Sequence, residues 1–520
     1  MPISSAVLPS DRRPLNALAL TGPLVAPIPA TTDEVSSEYL TTVLRANNVI
    51  DAHLTVTIVH TRRIGFAIGF NSHCALLDLE YSGGDADHSQ DHNPLKVVVK
   101  LMPPAAETVV PAFLLARFWR AEICVLCSLS DLAGHSAPAR QGEGSINKAQ
   151  FKHPLCYYAA HRPKGKQSGA NERDVGIIVM QPILSIPPGN HIVPLTLRQA
   201  RAGMENLARF HATFWCGGGK KRPYRGIADK FQTMGRHFTS ITSRETGLTS
   251  RFMIETGGYK DILLMPEYEE IHTLVRMFER RTRYLVRELR KGPYTVSHGD
   301  VKSDNFFFRE DTDTDDERSL TLADQDEEED EDEDEGEDEE GAGRKPGAGG
   351  QRRASSFAKL GLQEKFSTED CVLCDFQLSN VCNPTRDIAC FAVLNIDVAE
   401  RRAWLLQLLT YYTQELIAQG VTEYGVDDIL ADIPKWLCWP MLMDVACANN
   451  LRLFCEEYKR KKAAGEEIEE GDERRFEMND RHRQRLFSAL QDFKVQDFLA
   501  GLNTDLKVPF MGCCCYWALR

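Results

Sequence analysis

Ten consecutive acidic residues, Asp326 to Glu335, interrupt the middle of this chain. No packed core absorbs such a run, because like charges repel and nothing apolar is present to bury. Between Glu310 and Glu340 there are 21 acidic residues against one base, Arg318. A Gly-rich and then basic stretch follows, through Gly341-Ala342-Gly343 and on to Arg353. Residues 310–367 are therefore predicted to be a disordered insert, and whatever folds must close around its two ends. Closure is tolerable, since the entropy cost of a flexible loop grows only with the logarithm of its length. The plain reading is a tolerated loop extension. The sharper one is a tail that recruits a basic protein partner.

The insert also dominates the charge. The chain carries −14 overall and residues 310–340 carry −20, so the remainder is +6. A mildly basic body suits a small anionic ligand but is too weak to argue for nucleic acid. With 520 residues, 42% of them hydrophobic, the chain holds two to four domains or one two-lobed enzyme with extensions. No run of 18 apolar residues occurs, so stable membrane insertion is not expected. The 15 cysteines are odd in number and lack framework spacing, which points to a reducing, cytoplasmic setting. Two Cys-x-x-Cys pairs, Cys124/Cys127 and Cys371/Cys374, read as core packing more readily than as a shared zinc site. Residues 1–30 hold six prolines and read as a flexible arm rather than a signal peptide, and residues 501–520 as a tail.

Apolar alternation predicts strands at 54–59, 74–81, 96–102, 155–160 and 175–180. One helix, 111–132, is inserted after the third strand. A further helix is predicted to start near Thr31-Thr32-Asp33-Glu34. Beyond Pro182 the pattern turns helical, at 196–215, 266–290, 386–419, 435–465 and 474–500. Short strands interrupt it at 294–297, 306–308 and 372–373. The expected architecture is thus α+β, with a small five-stranded unit over 31–181 and a mainly helical one over 182–500.

Four pieces of sequence share one chemical logic. Val97-Val98-Val99-Lys100 ends a strand on a lysine, and Glu122 falls 22 residues later in a helical stretch. His298-Gly299-Asp300 follows a strand, with Asn305 five residues on, and Asp375-Phe376-Gln377 follows another. Phosphoryl transfer needs positioning, charge neutralisation and an acceptor oxygen held in line. Lys100 suits nucleotide phosphates, and Glu122 suits Lys100. Asn305 and Asp375 offer hard oxygen donors of the kind Mg²⁺ takes. Asp300 suits the proton of an attacking hydroxyl. Singly each piece is commonplace; their order matches the kinase set of strand lysine, helix glutamate, H-x-D-x4-N and D-F-x.

The segment Val296 to Phe306 resembles the catalytic loop of the aminoglycoside phosphotransferase/choline kinase superfamily, and Val372 to Leu378 its metal-binding segment. Phe376-Gln377, the run Pro384 to Ala389, and Glu205 to Trp215 look most like the CHK-kinase-like, or ecdysteroid-kinase-like, branch. The resemblance implies a protein-kinase-like two-lobed fold, with a five-stranded antiparallel N-lobe sheet plus one helix and a mainly helical C-lobe. It implies ATP-dependent phosphorylation of a small-molecule hydroxyl. Carried over residue by residue, it makes Asp300 the catalytic base and Asn305 and Asp375 magnesium ligands. Lys100 and Glu122 become the phosphate-binding ion pair. His298 would brace the loop and Asp387 would anchor its backbone. Gly65 and Gly69 would belong to the nucleotide loop, and Met180 and Gln181 to the adenine-contacting hinge.

The nucleotide loop departs from the kinase pattern, reading G-x-x-x-G from Gly65 to Gly69. Pro182 after the hinge donates no N–H. Only 12 residues separate Asp375 from Asp387, too few for a peptide-docking activation segment, so a small acceptor is expected rather than a protein. The rival from another class is a catalytically silent pseudokinase acting as a nucleotide- or partner-binding module.

Overall fold

The computed structural model describes residues 24–64, 72–83, 93–104, 107, 112–134, 151–163, 174–184, 186–217, 225–227, 258–309 and 371–502. Contacts divide the chain into two units, residues 1–308 with 368–520, and residues 309–367. The expected insert, the Gly65–Gly69 loop and the C-terminal tail beyond Leu502 lie outside the described residues.

In the N-lobe, β1 (Thr55–Ile64), β2 (His73–Ser82), β3 (Lys96–Leu101), β4 (Cys156–Arg162) and β5 (Val175–Met180) form one antiparallel sheet in the order β1-β2-β3-β5-β4. Helix α1 (Ser37–Ala46) precedes it, and α2 (Ala112–Gly134) follows β3. Strand alternation sends Val97, Val99 and Leu101 of β3 into one cluster with Leu40, Val43 and Leu44 of α1. Lys100 therefore faces the other side, where Ile178 and Ala159 join Trp119 and Ile123 of α2. Helical spacing puts Glu122 on that buried side too, three residues after Trp119 and four before Leu126. The sheet and helix together thus aim one lysine and one glutamate at each other.

Helix α1 starts later than expected. Thr31 makes no side-chain cap, and Thr32–Glu34 forms a 3₁₀ turn of its own. Ser36 caps the helix instead, its hydroxyl accepting from the Tyr39 N–H at 3.1 Å. The last part of the expected N-terminal arm is packed: Ile28 joins the N-lobe core, and Leu24 and Ala26 lie against it.

The C-lobe is helical: α3 (Leu197–Thr213), α4 (Gly258–Leu263), α5 (His272–Glu288), α6 (Thr385–Asn395), α7 (Val398–Ala418), α8 (Val426–Trp436), α9 (Cys438–Ala464), α10 (Glu470–Asp492) and α11 (Val495–Gly501). The single helix expected over 386–419 is two, because Ile396 and Asp397 are extended. Helix α8 adds to the expected set; it is short and carries Pro434, which masks its helical pattern. Two small ladders shape the site. β6 (Thr295–Ser297) pairs with β9 (Asn380–Cys382), and β7 (Phe306–Phe308) with β8 (Cys371–Leu373). The fold is the α+β two-lobed, protein-kinase-like one expected. Among the described residues no helix is long and apolar enough to cross a membrane.

Candidate active site

The β7–β8 ladder closes the chain across the insert. Its register pairs Phe306 with Leu373, and the Cys374 N–H continues it by donating to the Asn305 carbonyl at 3.0 Å. Asp375 therefore stands one residue beyond the partner of Asn305, although 70 positions separate them in sequence. Within the loop, Asn305 Nδ2 donates to the Asp300 backbone oxygen at 2.7 Å and to its Oδ2 at 3.0 Å. That fixes the amide and leaves Asn305 Oδ1 with no hydrogen bond among the described residues.

Lys100 brings the N-lobe to this point. Its Nζ donates to both Glu122 oxygens at 2.8 Å and to Asp375 Oδ1 at 2.8 Å. Burial pushes Lys100 down, but the charges of Asp375 and Glu122 outweigh it and raise its pKa. Asp375 is pushed up by burial and brought below its ordinary value by the charge and hydrogen bond of Lys100. Glu122 goes the other way: burial raises it, Lys100 opposes, and Asp375 adds to the rise. One ammonium cannot neutralise two carboxylates. Glu122, 2% exposed, is the deeper of the two and bears the shortfall. The second Asp375 oxygen, Oδ2, accepts from Gln377 Nε2 at 2.9 Å.

The catalytic-loop candidates hang on Asp387, at the start of α6. Its carboxylate accepts from Ser297 Oγ at 2.6 Å, the His298 N–H at 2.5 Å, the Gly299 N–H at 3.0 Å, and His211 Nε2 at 3.0 Å. Burial pushes this carboxyl up, yet the His211 hydrogen bond and the charges of His211, Arg386 and His298 hold it well below the usual range. His298 Nδ1 accepts from the Asp300 N–H at 3.3 Å, so the ring proton sits at Nε2 and is donated to the Cys374 carbonyl at 2.9 Å. Gly299 has φ +86°, and a Cβ there would come within 2.2 Å of the Leu378 carbonyl oxygen. A side chain between His298 and Asp300 is therefore excluded by the turn itself.

Two participants were missed in the sequence. Lys302 Nζ lies 3.7 Å from Asp300 Oδ2. Asp300 raises the Lys302 pKa, burial opposes, and Asp304 and Asp375 add to the rise. Asp304 accepts the His191 N–H at 3.0 Å. In sequence both are ordinary loop charges; only the fold of the loop brings Lys302 to Asp300 and Asp304 to the His191 N–H. The hinge also differs in detail. Gln181 donates its N–H to the Leu155 carbonyl at 2.8 Å and accepts the Leu155 N–H on its side-chain oxygen at 3.3 Å, so that N–H is not available to a base. Met180 ends β5, paired with Val98 and Cys156.

The donor set suits a hard divalent cation. Glu122 and Asp375 share the single Lys100 ammonium, leaving an excess of carboxylate charge. Among the described residues no three His, Cys, Asp or Glu side chains group as a metal site. Mg²⁺ asks for less: one or two protein oxygens, with phosphate and water completing the shell. Trp436 and Tyr412 are fully buried, and the Trp439 and Tyr411 rings carry the guanidinium groups of Arg386 and Arg201 at 4.3 and 4.1 Å.

The fold is of the protein-kinase-like class. Within that class, the model of the ecdysteroid kinase-like family matches residues 361–421, the stretch holding Asp375, Gln377 and Asp387. This is the branch that the sequence resemblance pointed to. Among solved structures, the chain is similar to a microcompartment-associated aminopropanol kinase at 11% identity, covering 89% of this chain and 99% of that one, with a TM-score of 0.40. It is also similar to a Plasmodium vivax ethanolamine kinase at 9% identity, covering 79% of this chain and 82% of that one, with a TM-score of 0.36. Likenesses this distant bear on neither substrate nor mechanism. No curated protein matches the sequence.

Proposed function

We propose that this protein is an ATP-dependent kinase that transfers the γ-phosphoryl group to a hydroxyl of a small molecule. One observation carries the reading: Asn305 is bonded to Asp300 and lies beside Asp375, which in turn touches Lys100. A proton acceptor, two hard oxygen donors and a phosphate-binding cation thus meet from three parts of the chain.

Asp300 takes the proton of the acceptor hydroxyl, and the Asn305 amide and the Lys302 ammonium hold its carboxylate in place. Lys100 binds the nucleotide phosphates while Glu122 grips its ammonium through both oxygens. Asp375 and Asn305 Oδ1 would hold Mg²⁺, which supplies charge neutralisation on the phosphates. In that role Asp375 would give up Lys100, which Glu122 would keep oriented through both its oxygens. Asp387 and His298 act on the loop's shape, not on the substrate. Gly65 and Gly69 would cover the phosphates, and the hinge at Met180–Gln181 would meet the base through groups other than the Gln181 N–H.

A second reading keeps one observation in its favour. Both Asp375 oxygens are bound by protein donors, Lys100 and Gln377, as in a nucleotide- or partner-binding module without turnover. The free cysteines among the described residues fit a cytoplasmic setting, and the acidic insert would serve a basic protein partner. Screening ATP consumption against alcohols, with the phosphorylated product identified by phosphorus NMR, decides between the readings. Turnover is expected, and Asp300→Ala should lower it by at least ~10²-fold. Mg-ATP binding with no phosphorylated product from any alcohol would favour the silent module. Unchanged turnover in Asp300→Ala would remove that carboxylate from the mechanism.

A further inference from the structure

Next to the catalytic loop lies a histidine whose ring makes no hydrogen bond among the described residues. The segment before α3 runs flat against the loop: Gly189 donates its N–H to the Phe306 carbonyl at 2.7 Å, and a Cβ on it would come within 2.4 Å of the Ser303 carbonyl oxygen. Two residues on, His191 is pinned at its backbone. Its N–H goes to Asp304 Oδ1 at 3.0 Å, and its carbonyl accepts from Arg485 Nη1 of α10 at 3.3 Å. The ring is 11% exposed, and neither Nδ1 nor Nε2 makes a hydrogen bond among the described residues. A buried polar group left unpaired is costly and asks for a reason. Nδ1 stands 3.8 Å from Asp304 Oδ2, too far for a direct bond but a gap that one ligand oxygen bridges.

The surroundings choose the kind of ligand. His482 is one helical turn from Arg485 on α10, so it stands beside the same segment. The other nearby carboxylates are spent. Asp397 holds Arg485 Nε at 2.7 Å, and Asp444 holds His482 Nε2 at 2.9 Å. Burial pushes His191 down to about 3, helped by the charges of His482, Lys302, Arg485 and Arg474. The ring therefore stays neutral, with one N–H and one bare nitrogen. Although Arg485, His482 and Lys302 are paired with Asp397, Asp444 and Asp300, they and Arg474 still act on the ring as positive charge, and an ammonium there would meet the same field with Asp304 as its one added partner. A hydroxyl fits better, accepting from the ring N–H and donating to the Asp304 carboxylate.

We propose that His191, backed by Asp304, is a specificity-determining residue that holds a second, neutral hydroxyl of the acceptor and disfavours an ammonium in its place. This rests on the phosphotransfer reading above. Ethane-1,2-diol and ethanolamine test it, since they differ in a hydroxyl against an ammonium. With the full chain and Mg-ATP, kcat/KM for the diol should exceed that for the amine by at least ~10-fold. His191→Leu should bring the ratio to within about twofold through the KM of the diol, with the KM for ATP unchanged. His191→Asn, which keeps a donor and an acceptor, should restore part of the preference; a purely structural role would not produce that rescue. Preference for the amine, or an undiminished ratio in His191→Leu, overturns the proposal. So does Mg-ATP binding without turnover of either acceptor. Failure to bind Mg-ATP at all sinks the kinase reading first and this proposal with it.

Discussion

Asp387 and Glu122 are both carboxylates with almost no exposure, one in each lobe, and they are satisfied in opposite ways. Asp387 gathers two backbone N–H groups, a hydroxyl and an imidazole, all within 3.0 Å. Among the described residues Glu122 has only the Lys100 ammonium, and Asp375 shares it. The first arrangement freezes a backbone turn. The second depends on one side chain that a phosphate can re-partner. Their protonation follows suit: Asp387 is held well below its ordinary value, whereas Glu122 is raised. The rigid part shapes the loop that carries Asp300, and the adjustable part is where a ligand can be exchanged in.

Asp387→Ala should have the largest effect on folding. It strands four donors in a region without exposure and should cost at least about 3 kcal/mol in chemical denaturation. A loss below about 1 kcal/mol would mean the turn is held elsewhere. Lys100→Met should cost less, about 1–3 kcal/mol, because Gln377 still serves Asp375 and Glu122 can take up a proton. The same variant should lose Mg-ATP binding, read by calorimetric titration. A cost equal to that of Asp387→Ala would erase the distinction drawn between the two regions.

Smallest of all is the pH response, and its sign differs between the two sites. A depressed carboxyl contributes stability above its unfolded pKa, here 3.8, and loses it as pH falls toward the folded value. Asp387 thus weakens the fold in acid. A raised carboxyl contributes most below its unfolded pKa, here 4.5, and loses that contribution as pH rises through the folded value. Glu122→Gln should therefore flatten the decline in stability above pH 4.5, while Asp387→Asn should flatten the acid limb. Denaturation midpoints measured across pH for both variants check this; a matching response in the two would contradict it.

The residues that look anomalous on their own are legible in the sequence. A lysine on an apolar strand, a glutamate on a buried helical face, and Asp300 with Asn305 at fixed spacing each stand out from their neighbours along the chain. The β3 to β5 pattern and the ladder residues Phe306 to Phe308 are legible for the same reason, strong apolar patterning. What depends on distant register is not. The Lys100–Asp375 bond spans 275 positions and follows from how β8 pairs with β7 across the insert. Lys302, Asp304 and His191 acquire their setting only when the loop and the segment before α3 lie together. The break at Asp397 does leave a mark, an N-cap aspartate followed three residues on by Glu400, but the apolar residues on both sides of it let the pattern read as one helix.

The most direct measurement is the thermal midpoint of the full chain titrated with ATP, with and without Mg²⁺, in the native protein and in Asp375→Ala. Ligand bound only to the folded state at 100 times its Kd adds about 2.7 kcal/mol, so the native protein should show a clear Mg²⁺-dependent rise. Asp375→Ala should lose the Mg²⁺-dependent part. An identical Mg²⁺-dependent rise in that variant, or none in the native protein, would contradict the convergence of residues 100, 300, 305 and 375 on one metal-bound triphosphate.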